Sequence, residues 1–174
     1  MNKPAMTAMR KQAQAGFTLI ELIVVIVILG ILAATALPRF SSLGGEARLA
    51  SLNSARGALS ATAAMVHGQA LINGAGPFAY EGINVAVVNT YPAADNNTAL
   101  AAGLNPNDYA VTVGPAANTV NAPAVVAGTI LVQPISVSTT PTGLNCFLTY
   151  VQAAGANQQP TIAVGPNASA ATCN

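Results

Sequence analysis

The chain of 174 residues is long enough for one modest domain, and 52% of it is apolar while only 6% is charged, against about a quarter charged in ordinary globular chains. That composition excludes a highly charged disordered chain, and a formal net charge of +1 excludes a strongly basic nucleic-acid binder or an acidic tail. With no Trp, four Phe and four Tyr, the core has to be built from Val, Ile, Leu and Ala.

Residues 1–16 hold Lys3, Arg10 and Lys11 and no acid, a short cationic leader. From Phe17 to Leu37 the sequence is apolar, with Glu21 as its only charge. At a rise of about 1.5 Å per residue this run covers a hydrocarbon core of about 30 Å as a helix. A secretory signal has a shorter apolar core, followed by a small-residue cleavage site. Here the small residue, Gly16, precedes the run, so cleavage after it leaves the apolar segment in the mature chain. The leader cations are expected to stay on the cytoplasmic side, with the C-terminal part outside. Glu21 is costly in a spanning helix unless it lies near an interface or finds a partner. Cleavage would make Phe17 an amino terminus, and pairing of Glu21 with the Phe17 ammonium of a neighbouring chain would fix their axial register.

The string Gly16-Phe17-Thr18-Leu19-Ile20-Glu21, behind a basic leader and ahead of a hydrophobic run, resembles the processing site of type IV pilins. The resemblance is strong over residues 10–40. It implies cleavage after Gly16 by a prepilin peptidase, N-methylation of Phe17, and a role for Glu21 in packing subunits into a filament. Pro38 falls where such pilins often have a helix-kinking proline. Leu37-Pro38-Arg39-Phe40, the sparse head and the late cysteine pair resemble the type IVa, mannose-sensitive haemagglutinin-like pilins.

Past the apolar run, Leu52, Ala55, Leu59, Thr62 or Ala63, Val66 and Ala70 recur at three- and four-residue spacing, which predicts an amphipathic helix to about Ile72. Gly30, Pro38 and Gly44-Gly45 predict a kink or locally melted stretch between 30 and 45, or a bend imposed by packing. Asn73-Gly74-Ala75-Gly76-Pro77 ends the helix. A short helix is expected at 97–102, stopped by Gly103. Runs at Val85–Asn89, Tyr109–Val113, Thr129–Val137, Cys146–Val151 and Thr161–Val164 read as strands, with Pro134 making its run an edge strand or splitting it. The expected fold is α+β: a long N-terminal helix packed on a small antiparallel sheet, the roll of the pilin family. Its parts are a leader (1–16), a membrane or filament-core helix (17–38), an amphipathic half-helix (39–72) and a β-rich head (73–174).

Cys146 and Cys173 are the only cysteines. Outside the cytoplasm a disulfide is favoured over a metal or redox role, the alternative being two buried free thiols. The pair resembles the C-terminal disulfide loop of many pilins. No active site, metal cluster or cofactor site is legible. The single His67 reads as a surface or packing residue, and Glu21, Glu46, Glu81, Asp95 and Asp108 are too scattered for paired-carboxylate chemistry. No Lys or Arg follows Arg56, so nucleic-acid binding by the head is not expected. Arg39, Arg48 and Arg56 read as inter-subunit partners for Glu46 or an acidic loop. No acid follows Asp108, which disfavours the secretion pseudopilins, since those resemble this chain at the N-terminus but usually carry a calcium site with acidic ligands and lack the disulfide. The reading is thus a non-enzymatic, homo-oligomeric major pilin for adhesion or motility. It would be held in the bacterial inner membrane as a precursor, processed by the peptidase and exported by the pilus assembly machinery as a fimbrium. The alternatives are a type II secretion pseudopilin, or a minor pilin binding DNA or a surface.

Overall fold

The computed structural model describes residues 16–156 and 158–174; the leader cations Lys3, Arg10 and Lys11 lie outside the described residues. Two compact units make up the chain, 1–39 and 40–174.

A single helix, α1 (Leu19–Asn73), is assigned without a break. No melted stretch interrupts it between residues 30 and 45, and the backbone at Pro38 is helical. Within 40–174 the stripe read from the sequence is its buried face: Leu52, Ala55, Leu59, Thr62, Ala63, Val66 and Ala70 are all buried. Gly74, in the left-handed region at φ +80°, ends the helix and donates its N–H to the Ala70 carbonyl at 2.9 Å.

Two small hairpins follow. The first joins β1 (Phe78–Tyr80) and β2 (Ile83–Val85), the second β3 (Val87–Val88) and β4 (Tyr91–Pro92). Each turn has two residues at positive φ, Glu81 and Gly82 in one and Asn89 and Thr90 in the other, the geometry that matches strand twist in a tight hairpin. The expected strand Val85–Asn89 is therefore wrong. Its residues divide between the end of β2, a connecting Ala86, β3 and a turn.

Helix α2 (Asn96–Ala101) begins one residue earlier than expected, because Asp95 caps it by accepting the Thr98 N–H at 2.8 Å. Then comes an antiparallel sheet of β5 (Tyr109–Val113), β6 (Thr129–Pro134), β7 (Leu148–Val151) and β8 (Thr161–Val164), in that spatial order. Pro134 makes β6 neither an edge strand nor a split one. β6 is central and buried throughout, and Pro134 is its last residue, opposite Tyr109. At a strand end the missing N–H costs no ladder bond, and the chain turns away over Ile135–Val137. The sheet lays Ile130, Val132, Leu148 and Tyr150 on Leu52, Ala55 and Leu59 of α1, forming the main core. Val66, Ala70, Phe78 and Val85 form a second cluster under the first hairpin. The α+β architecture of a long helix on small antiparallel sheets is the one expected.

Candidate assembly and processing site

In the first unit, the first helical turn carries the chemistry. Thr18 precedes α1, and its N–H and Oγ1 both donate to Glu21 Oε2, at 2.9 and 2.8 Å. The Glu21 N–H donates back to Thr18 Oγ1 at 3.3 Å. This reciprocal capping box satisfies helix-end donors that water would otherwise have to serve. It also turns the carboxylate back over the helix N-terminus, with both Thr18 donors on Oε2 and, among the described residues, Oε1 without a partner. The sequence reading missed Thr18, although the Thr-x-x-Glu spacing before an apolar run is its signature. Gly16 lies outside the helix and is exposed, and a side chain there would meet nothing within 4 Å.

From Leu19 to Leu37 the large apolar side chains point outward all round the helix and none is buried. A helix apolar on every face suits a lipid or an all-helical environment. By length and composition this one can cross a membrane.

The second unit carries the C-terminal closure. Cys146 and Cys173 are fully buried and joined by a disulfide with Cα atoms 5.0 Å apart, so neither is a free thiol. Ser169 and Thr172 exchange side-chain and backbone hydrogen bonds, and the Cys173 N–H donates to the Ser169 carbonyl at 2.9 Å. This compact turn lies against α1. A Cβ on Gly45 would sit 1.8 Å from the Ala170 carbonyl oxygen. Arg48 Nη1 donates to the Cys173 carbonyl at 2.7 Å and its Nε to Ser136 Oγ at 3.2 Å. Arg48 thus bonds within its own chain. Gly45 also had a legible signal, since it falls on the seven-residue spacing of Leu52, Leu59 and Val66, the buried stripe.

His67 is a packing residue. Its ring stacks on Tyr91 at 4.1 Å between centroids, and Nδ1 lies 3.2 Å from the Thr90 carbonyl and 3.0 Å from Thr90 Oγ1. Tyr150 is buried with its hydroxyl donating to the Pro92 carbonyl at 2.6 Å. Burial, assisted by the Asp95 charge, pushes its phenol well above the usual range. Among the described residues no group of His, Cys, Asp or Glu is placed to hold a metal ion.

A processing-type N-terminus on a membrane-length apolar helix, continued into a disulfide-closed β-rich head, defines the class of prepilin-like subunits. Residues 11–37 match the prokaryotic N-terminal methylation motif. The chain is 32% identical over 108 residues to the type IV narrow pilus major component PilA5 of Thermus thermophilus, covering 61% of this chain and 93% of that one. It is 40% identical over 79 residues to the type II secretion system core protein G of Pseudomonas aeruginosa, covering 45% of this chain and 54% of that one. It therefore spans about half the length of the secretion protein. No solved structure matches. The chain belongs to the type IV pilin family, taken to include the pseudopilins.

Proposed function

We propose that this chain is the precursor of a major type IV pilin. A prepilin peptidase cleaves it after Gly16 and methylates Phe17. Segment 17–37 holds it in the inner membrane until the assembly machinery draws it into an extracellular filament, and its role there is structural, not enzymatic. The observation that carries this reading is the pairing of an exposed, all-round apolar helix with one carboxylate, Glu21, held by Thr18 within a turn of the cleavage site. In the filament the apolar side chains exchange lipid for neighbouring helices, and the Glu21 carboxylate pairs with the Phe17 ammonium of the next copy. Pro38, which has no N–H to donate, is where we place a bend of the helix on assembly.

The identity to the secretion core protein supports a second reading, a pseudopilin. The closed C-terminal disulfide and the absence of acids after Asp108 favour the pilus. The deciding experiment shears filaments from native cells and identifies their dominant protein by intact mass and N-terminal sequencing. A chain beginning at methylated Phe17 that outweighs every other subunit establishes the major pilin. A trace amount makes it a minor pilin, and absence from any external fibre favours the pseudopilin.

A further inference from the structure

The four-stranded sheet ends at β8, which is last in the spatial order and has no strand on its outer side. The Gly165 N–H donates to the Phe147 carbonyl at 2.8 Å, and this fixes the phase of the ladder. Facing residues of an antiparallel pair alternate between bonded and non-bonded partners. Thr161 and Ala163 therefore bond to Val151 and Thr149, while the N–H and C=O groups of Ile162 and Val164 point away from β7. Among the described residues none of these outward groups has a partner. Natural sheets blunt such an edge with lysine or other charges, yet no charged residue follows Asp108. The opposite edge differs, because the Tyr109 N–H at its start is already taken by the Asn105 carbonyl at 2.9 Å.

Beside the open edge, α1 and the start of β8 form a step. Two adjoining hollows of about 410 and 280 Å³ lie along it, sharing Ser60, Pro160 and Ile162. The α1 side is built from small residues, Gly57, Ser60, Ala64 and Gly68, and a Cβ on either glycine would meet nothing within 4 Å. A strand added to β8 would project alternate side chains onto this floor, which has room for them.

Charge selects the occupant. Beyond residue 40 the cations are Arg48 and Arg56. Arg48 is engaged by the C-terminal turn, whereas Arg56 is exposed at the larger hollow and has no partner among the described residues. None of Glu46, Glu81, Asp95 and Asp108 lines either hollow, so the step attracts an anion. A sugar acid or a phosphate would use the guanidinium but leave the N–H and C=O pairs, repeating at strand spacing, unused. An extended peptide uses both. We infer that the step between α1 and β8 binds an extended acidic peptide segment of a partner protein as a fifth strand. Its backbone bonds Ile162 and Val164, and its carboxylate meets Arg56. The sheet is antiparallel throughout, and Arg56 shares its hollow with the Pro160 end of β8. Antiparallel addition therefore puts the carboxylate toward the C-terminal end of the peptide. All of these residues lie within 40–174, so the inference is independent of the filament reading.

The test is fluorescence anisotropy on the mature chain in detergent, using a labelled octapeptide of alternating threonine and valine that ends in aspartate. It should bind saturably, about tenfold more tightly than the same peptide ending in lysine. N-methylation of alternate backbone nitrogens should abolish binding in one phase and spare it in the other, because only one edge of the peptide faces β8. Arg56→Glu should reverse the preference for aspartate over lysine. Ala64→Trp, at an exposed position, should fill the floor and block both peptides. Near-UV circular dichroism checks the fold of each variant, and the peptide series on the unaltered chain decides even if a variant fails to fold. No saturable binding, equal affinity for the two peptide ends, or indifference to N-methylation in both phases overturns the inference. Sheared fibres containing the chain distinguish the remaining occupant. Binding kept in the fibre supports a foreign partner, whereas fibres that exclude a peptide the free chain binds show that a second copy fills the step, which overturns the partner assignment.

Discussion

Two adjacent glycines in one helix should respond to alanine in opposite directions. At either position alanine removes the backbone penalty of helical glycine, a gain of about 1 kcal/mol. For Gly44 that gain should stand, because the nearest atom to an added Cβ is Asn174 Oδ1 at 3.4 Å, an ordinary contact. For Gly45 the same methyl would lie 1.8 Å from the Ala170 carbonyl oxygen, 2.9 Å from its carbon and 3.2 Å from Asn174 Cβ. Backbone cannot rotate aside as a side-chain tip can, so the C-terminal turn has to lift. Overpacking of this kind costs about 1–3 kcal/mol. Lifting the turn also breaks the 2.7 Å bond from Arg48 to the Cys173 carbonyl, a charge-assisted bond contributing about 1.5–3 kcal/mol. Less the helix gain, Gly45→Ala should destabilise the head by about 1.5–5 kcal/mol, or roughly 5–18 °C in Tm for a unit of this size. Thermal melts of the mature chain in detergent, followed by near-UV circular dichroism, read both variants. Gly44→Ala should melt slightly above the original and Gly45→Ala well below it. If both rise together, the pair serves only to soften the helix and the packed C-terminal turn is refuted.

Cys146→Ser with Cys173→Ser opens a loop whose ends are 27 residues apart; chain entropy puts the loss at about 3.5 kcal/mol, to be read as a fall in the urea midpoint that reductant reproduces in the unaltered chain. Thr18→Ala removes the N-cap and should cost about 1 kcal/mol at the first turn, seen as faster amide exchange at Leu19–Leu22 with no change in the head. Tyr150 yields a pH dependence: its folded pKa is raised above the unfolded value of 10.0, so above that pH the unfolded chain has lost a proton that the folded chain keeps. The stability it contributes is full below pH about 10 and declines above it by about 1.4 kcal/mol per unit. Tyr150→Phe should remove one proton's worth of that slope in urea titrations at pH 9–11. Glu21→Val should be processed after Gly16 yet fail to assemble, and normal fibres from it would remove the register role.

Features that repeat along the chain were legible in the sequence, and those set by a meeting of distant segments were not. The stripe from Leu52 to Ala70 and the strands at 109–113 and 161–164 follow from periodicity, which a single segment contains in full. The hairpins at 78–92 escaped because their turns use Glu81 and Thr90 at positive φ, where glycine and asparagine are the usual signals. Pro134 misled because its effect depends on position within the strand, which only the pairing with Tyr109 reveals. Gly45 shows the same limit from the other side. Its place on the buried stripe was visible, but not the carbonyl, well over a hundred residues away, that excludes every other side chain there.

The two halves of α1 obey different rules because they face different solvents. In the head, one stripe is buried by the sheet and the other faces are largely polar or small, with Leu43, Met65, Leu71 and Ile72 exposed among them. Before residue 38 the large apolar side chains are exposed on every face. For such a surface, lipid and a bundle of like helices are nearly equivalent, since both are hydrocarbon, and apolar side chains alone give little reason to leave one for the other. Glu21 breaks the equivalence. Among the described residues its carboxylate is held by the donors of Thr18, and on the filament reading a neighbouring processed copy adds an ammonium at Phe17 that lipid does not offer. On the filament reading, the apolar run therefore makes exchange from membrane to fibre inexpensive, and this one carboxylate gives the exchange its direction and its register.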